Sequence, residues 1–265
     1  MCRILVATNV GELIADVGYL NLLKAIATLA DSGNTDACGF AAYTADGRWA
    51  RVRAPVSCKV FALNMLAHKD SIRRELEDTV ILLFHARRAT GGDPWVNVNN
   101  HPFCTRDGLC LIHNGSVRYE AKLLPEGYDN VEAELGHPET DSAMLLAAVA
   151  VEARRSPEST LYELARLAWK GKFKGKASIA LARPGELLYT KNRSADIYIY
   201  NYKRYFVAAT AKDTLKVMGL SGEDYNEVTV YLRLDGGRMR RVVWDSDSLV
   251  EAGSYYGGYY SSYKF

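Results

Sequence analysis

Apolar positions along the chain alternate between strand-like runs and helix-like spacings. Residues 2–8 form a short continuous apolar run and read as a buried strand starting almost at the first residue. Leu13, Val17, Leu20, Leu23, Ala27 and Ala30 share one face of a helix over 13–30, closed by the turn residues Asp31-Ser32-Gly33-Asn34. Residues 39–44 predict a second strand, 70–77 a short polar helix and 79–84 a buried strand. The stretch 85–102 has no periodicity and is rich in Gly, Asn, His and Pro, which predicts a loop. Strand character returns at 109–113 and is expected to stop at Asn114-Gly115. Residues 140–154 read as a helix with a Thr or Asp start and Arg154-Arg155 at its end. It is apolar nearly all round and so should be buried on most sides. A further helix is expected over 160–169. From 177 onward the pattern turns to strands, at 177–182, 187–190, 196–200, 205–209, 228–234 and 240–243, with a short helix at 213–218 and a hairpin turn at Asp235-Gly236-Gly237. This order predicts an α+β domain of two sheet layers with helices outside. Residues 253–265 are a low-complexity Gly/Ser/Tyr tail.

Composition narrows the class. The chain has 265 residues, 48% of them apolar and 24% charged, enough to bury a core without a disulfide staple. Its formal net charge is +2, which argues against a dedicated nucleic-acid binder. The longest apolar run, 143–151, is 9 residues, so no membrane span is expected. The N-terminus lacks the pattern of a signal peptide, so a cytoplasmic protein is expected. The five cysteines, Cys2, Cys38, Cys58, Cys104 and Cys110, form no C-x-x-C pair, and in a reducing cytosol free thiols are the default. The chain contains no glutamine. Depletion of thermolabile amides fits a hot-growing source, where intracellular disulfides, Cys104 with Cys110 for instance, become an alternative.

Cys2 follows an initiator Met that is commonly removed before a small residue. The processed chain would carry a thiol, with an ordinary pKa near 8.5, and an α-amine near 7.7–8.0 on one residue. That residue combines a nucleophile with a base titrating near neutrality. Behind it come His85-Ala86-Arg87-Arg88-Ala89-Thr90-Gly91-Gly92, Asn100-His101-Pro102-Phe103, Ile112-His113-Asn114-Gly115 and Glu139-Thr140-Asp141-Ser142. They offer an Arg for a carboxylate, an Asp for an ammonium and an Asn-Gly pair with two donors for an oxyanion.

In this order, with Cys at position 2, these motifs resemble the class II glutamine amidotransferase domain of the N-terminal nucleophile hydrolases. The resemblance covers most of the chain, residues 2–245, and leaves 246–265 as a tail. It implies a four-layer αββα sandwich of two mainly antiparallel sheets. It also implies that Cys2 attacks the γ-carbonyl of glutamine, with its own α-amine as base and then acid. Asn114 and Gly115 would hold the oxyanion, Arg87 the substrate α-carboxylate and Asp141 the α-ammonium. Thr90, His101 and Gly115 would line or support the pocket. No cofactor, nucleic acid or membrane enters; the partner is a small molecule, glutamine or a γ-glutamyl compound.

Departures from the pattern bear on the substrate. Members fused to synthases usually carry Trp after the motif arginine and His before its final glycine, where this chain has Arg88 and Gly91. The Met-Cys-Arg opening resembles the small stand-alone branch, some of whose members hydrolyse other γ-glutamyl compounds. Two further readings stay open: a glutaminase subunit feeding ammonia to a separate synthetase, and a catalytically silent binding module of the same fold. His101-x2-Cys104 and Cys110-x2-His113 also have zinc-like spacing, but the resemblance already accounts for the histidines, so no metal is expected.

Overall fold

A computed structural model describes residues 2–119, 124–202, 204–235 and 238–252. The first half of the chain runs β1 (Arg3–Thr8), α1 (Val10–Val17), α2 (Tyr19–Thr28), β2 (Ala37–Thr44), β3 (Trp49–Ala54), α3 (Cys58–Ala67), α4 (Lys69–Glu77), β4 (Thr79–Arg87), β5 (Phe103–Cys104) and β6 (Cys110–Tyr119). The second half runs α5 (Tyr128–Leu135), α6 (Asp141–Arg155), α7 (Leu161–Trp169), β7 (Phe173–Arg183), β8 (Glu186–Lys191), β9 (Tyr198–Asn201), β10 (Phe206–Ala209), α8 (Lys212–Val217), β11 (Glu223–Asp224), β12 (Val228–Asp235), β13 (Arg238–Asp245) and β14 (Glu251–Ala252).

Among the described residues the strands build two sheets. One has the order β11-β9-β10-β1-β4-β2-β3; the other has β13-β12-β8-β7-β6-β5, with β14 beside β7. All pairings are antiparallel except that of β14 with β7. Three apolar cores separate the layers. Ile4, Val6, Ile81, Leu83, Ile112 and Ala180 lie between the two sheets. Leu5, Ala7, Leu82 and Phe84 face α1, α2 and α3 on the outside of the first sheet. Leu111, Val117, Ile179 and Leu181 face α5, α6 and α7 on the outside of the second. The α+β sandwich with helices outside is therefore the observed architecture. Of the described helices, none is long and apolar enough to cross a membrane.

Several local expectations change. The helix expected over 13–30 is two helices, because Gly18 at φ 84° closes α1 and opens α2. The strand expected to stop at His113 runs through Asn114-Gly115 to Tyr119, paired with β7 along its whole length. Gly115 holds φ +152°, and a Cβ there would collide with the Lys176 carbonyl across the strand pair. An Asn-Gly pair that usually turns the chain here permits a tight strand contact instead. Helix α6 behaves as its composition predicts, with most of its residues buried and the Trp169 indole of α7 donating to the Leu145 carbonyl at 3.0 Å. The Gly/Ser/Tyr tail at 253–265 and the two glycines of the expected turn after Asp235 lie outside the described residues.

The default of free thiols is overturned. Cys38 of β2 pairs with Cys58 at the start of α3, and Cys104 with Cys110, which are direct cross-strand partners in the β5–β6 hairpin. Their Cα separations are 5.2 and 4.1 Å. Cys104–Cys110 is the alternative raised from the sequence, whereas Cys38–Cys58 joins a strand to a neighbouring helix in a way the linear spacing does not reveal. Cys2 is the free cysteine. Unfolded but unreduced protein should therefore titrate one thiol, and reduced protein all five. A titration of five thiols before reduction would remove both bridges.

Candidate active site

Strand alternation decides which side chains meet. On β1, Leu5 and Ala7 face the helices while Ile4 and Val6 face the other sheet. Cys2, two residues before Ile4, continues the inner row. On β4 the inner row is Ile81, Leu83, His85 and Arg87, and β1 pairs with it in the register Arg3↔Ala86 and Ile4↔His85. Cys2 is thus laid opposite Arg87. From the second sheet, Asn114 shares the inner row of β6 with Cys110 and Ile112. His113 points the other way, with Nδ1 at 3.0 Å from the Ser142 hydroxyl on α6. The sheets are tied here by the His85 ring, whose Nε2 lies 3.2 Å from the His113 carbonyl oxygen.

Cys2 is partly exposed as a residue, and its Sγ lies 3.5 Å from the Arg88 carbonyl oxygen. Burial pushes its thiol pKa up; the Arg87 charge opposes the rise and the Asp141 charge adds to it. The thiol thus feels both charges, one from each side of the sandwich. Asp141, the first residue of α6, accepts the Val117 amide at 2.7 Å on Oδ2 and the Ser142 hydroxyl at 3.3 Å on Oδ1. Asn114 is buried, and its Oδ1 has no hydrogen-bond partner among the described residues.

Arg87 is 3% exposed, and its guanidinium is already engaged. Nη1 donates to Asn100 Oδ1 at 2.8 Å, while Nη2 donates to the carbonyls of Gly91 at 2.5 Å and Gly92 at 2.9 Å. Both bidentate forks of a guanidinium, Nη1/Nη2 and Nε/Nη2, use Nη2. With both Nη2 protons committed, neither fork is open to a carboxylate in this conformation.

The remaining predicted residues divide. Gly115 sits beside Asn114 in β6. His101 is buried and stacks on His85 with ring centroids 3.9 Å apart, its two nitrogens without hydrogen-bond partners among the described residues. It supports the His85 ring from behind. Thr90 stays exposed on the loop after β4 and is not brought into the group. The zinc alternative fails on geometry: Cys104 and Cys110 are joined to each other, and no three His, Cys, Asp or Glu side chains gather as a metal site among the described residues. Sequence reasoning passed over Asn99 and the side chain of Asn100, which organise the loop over Arg87. Their signal was a pair of asparagines in a loop with no other use for buried amides.

His85, His101 and His113 are all held below their ordinary pKa, foremost by burial, His85 down to about 3. The folded protein keeps them neutral where the unfolded chain, with histidines near 6.5, takes up protons. Unfolding then binds protons, so this contribution to stability is complete above about pH 6.5 and is lost as pH falls toward about 3. Each such histidine adds a slope of at most about 1.4 kcal/mol per pH unit. Urea unfolding between pH 7 and 4 should show a steep loss of stability, and His101→Phe should flatten it. An unchanged slope would mean that His101 is protonated in the folded state.

No family model matches the chain, and no curated protein matches it in sequence. Solved structures do match. Glutamine phosphoribosylpyrophosphate amidotransferase from B. subtilis, complexed with ADP and GMP, superposes over 91% of this chain and 49% of its own, at a TM-score of 0.57 and 14% identity. A structure described as the allosteric regulatory enzyme of purine biosynthesis covers 91% of this chain and 48% of its own, with the same score and identity. A predicted glutamine amidotransferase from Pseudomonas aeruginosa PA01 covers 87% and 85% at 18% identity, but its TM-score of 0.34 carries no argument. The chain spans about half the length of the first two proteins. What it shares with them is the fold: two stacked antiparallel sheets between helical layers.

Proposed function

We propose that this chain is an amidohydrolase of the N-terminal-cysteine type, cleaving the γ-amide of glutamine or of a γ-glutamyl amide and releasing ammonia or an amine. The observation that carries the reading is that the Cys2 thiol, just before β1, feels the charges of both Arg87 on β4 and Asp141 at the start of α6. A positive and a negative group flanking a thiol suit an amino-acid head group presented beside a nucleophile. The shared fold with glutamine phosphoribosylpyrophosphate amidotransferase supports the same reading.

Burial raises the thiol pKa, so Cys2 needs a base at hand. Removal of Met1 supplies one, the α-amine of Cys2 itself. The amine takes the thiol proton as sulfur bonds to the amide carbon. The oxyanion is held by the Asn114 amide and the Gly115 N–H. The protonated amine then gives its proton to the leaving nitrogen as the C–N bond breaks, leaving a γ-glutamyl thioester. Water, deprotonated by the same amine, attacks the thioester, and glutamate departs as the thiol is restored. For Arg87 to grip the α-carboxylate, that carboxylate replaces the Gly91 and Gly92 carbonyls on Nη2, and the loop gives way by that much. The stand-alone branch is favoured by Cys2-Arg3 and by Arg88 in the position of the Trp.

The committed guanidinium favours one second reading, a silent module in which Arg87 serves only to pin its loop. Three measurements separate the two. The mass of the purified protein should lack Met1. A glutamine-mimicking alkylator should add its mass to the peptide beginning at Cys2, and Cys2→Ala should abolish labelling. Retained Met1 with an unlabelled Cys2 would leave the silent module.

Asn114→Ala should lower kcat by about 10²–10³ with little change in KM, the loss expected for one oxyanion donor. A change confined to KM would move Asn114 to substrate binding. The purified chain should turn over by itself; ammonia release only with a co-purifying synthetase would make it a glutaminase subunit.

A further inference from the structure

The loop over Arg87 and the start of α6, which carries Asp141, come from distant parts of the chain and from opposite sides of the candidate site. One buried side chain joins them. Asn99, 1% exposed, accepts the Glu139 amide on Oδ1 at 2.8 Å and donates from Nδ2 to the Asp93 carbonyl at 3.2 Å. Glu139 lies two residues before Asp141; Asp93 follows Gly92, whose carbonyl holds Arg87 Nη2 at 2.9 Å.

The contact is close on all sides. A Cβ on Gly92, at φ +66°, would meet Asn99 Cγ at 2.9 Å and the Glu139 carbonyl oxygen at 3.1 Å. A Cβ on Gly136 would meet Val98 at 3.2 Å, so the neighbouring residue of the loop presses on the same segment. On its other side the loop is tied elsewhere: Asn97 donates to the Arg53 carbonyl at 3.0 Å.

We propose that Asn99 is a positioning residue that ties the loop covering Arg87 to the segment carrying Asp141, so that the loop keeps its place against that segment when the carboxylate displaces it from Nη2, and so sets selectivity for substrates carrying both an α-carboxylate and an α-ammonium. This rests on the functional reading above. The amide suits the task because it both donates and accepts, so one side chain locks two backbones with two different polar groups. A buried amide whose hydrogen bonds are broken by a shift of either backbone is costly to leave unpaired. Asn99 touches neither Cys2 nor the reacting amide, so its removal should act on head-group binding and spare the chemical step.

The test compares Asn99→Ala, Asn99→Asp and Asn97→Ala with wild type. In hydrogen exchange, Asn99→Ala should loosen residues 88–98 and 137–142 together. Asn99→Asp keeps the acceptor for Glu139 and loses the donor, so it should loosen 88–98 while 137–142 stays protected; it also keeps the test alive if the alanine variant fails to fold. Asn97→Ala should loosen 88–98 alone. In turnover, Asn99→Ala should raise KM for glutamine about tenfold with kcat held within about threefold. Its preference for glutamine over the analogue lacking the α-ammonium, 4-carbamoylbutanoate, should fall by a similar factor. Exchange in 137–142 that does not respond to Asn99→Ala overturns the link. Loosening of both segments with selectivity unchanged overturns the role in recognition. If wild type hydrolyses no γ-glutamyl amide, the functional reading fails, and the exchange results alone decide whether Asn99 joins the two segments.

Discussion

The candidate site depends on one register. β1 pairs with β4 so that Arg3 faces Ala86 and Ile4 faces His85. Side chains alternate along a strand, so this pairing puts Cys2, His85 and Arg87 on the inner face together. A slip of one residue would send Cys2 among the helices that cover Leu5 and Ala7. The slip is opposed by the cores themselves. Ile4, Val6, Ile81 and Leu83 fill the space between the sheets, and Leu5, Leu82 and Phe84 fill the space under the helices, all fully buried. Hydrophobic packing along β1 and β4 thus sets the placement of polar groups at their ends.

The same burial that fixes the register determines the electrostatics. Removing polar groups from water disfavours charge, and His85, His101 and His113 answer by staying neutral. Arg87 cannot take that route, and it is instead wrapped in carbonyl oxygens from its own loop. Burial pushes the Cys2 thiol pKa up, so the proposed nucleophile would need a nearby base. Neutral histidines would be poor partners for a thiolate, and none of the three is directed at Cys2: His113 turns to α6, His85 reaches the His113 carbonyl and His101 stacks behind His85. That arrangement leaves the α-amine of Cys2 as the base the proposed mechanism calls for.

Much of this was legible in the chain. The apolar runs of β1 and β4, the all-round apolar α6 and the succession of strands after residue 177 were strong enough in periodicity to predict a two-sheet sandwich. Elements with weaker patterns were not. β3 is an edge strand with half its residues arginine or exposed valine, α3 is apolar on its outer face as well as its inner one, and α5 is short and half polar. Local turn chemistry misled at Asn114-Gly115, where the pairing of β6 with β7 along ten residues outweighed the usual preference of that dipeptide. Cys104–Cys110 was open as an alternative from the sequence, whereas Cys38–Cys58 was hidden because it joins residues brought together only by tertiary packing. At the site, the charged and nucleophilic residues announced themselves by type and order. Asn99 and the role of the Asn100 side chain did not, since a buried amide can be assigned its role only once its partners are in place.

Those amides change what the site is. A guanidinium and a carboxylate placed on rigid strands and helices would form a fixed receptor by themselves. Here the guanidinium is shared with a loop, and the loop is locked to the start of α6 through one side chain. The two charges are therefore not independent. Displacing Gly91 and Gly92 from Nη2 disturbs a segment whose other end bears on the residue two before Asp141. On the proposed reading, a carboxylate that displaces Gly91 and Gly92 from Nη2 is compensated at Arg87, and only a ligand that also carries an ammonium meets Asp141 as well. Discrimination on that reading would rest on buried hydrogen bonds left unmade by the wrong ligand, which cost more than the correct ones gain. A site of the proposed kind would read the head group through the cost of opening its own interior, and the neutral amides that close it stand in a region where a further charge would have been expensive to bury.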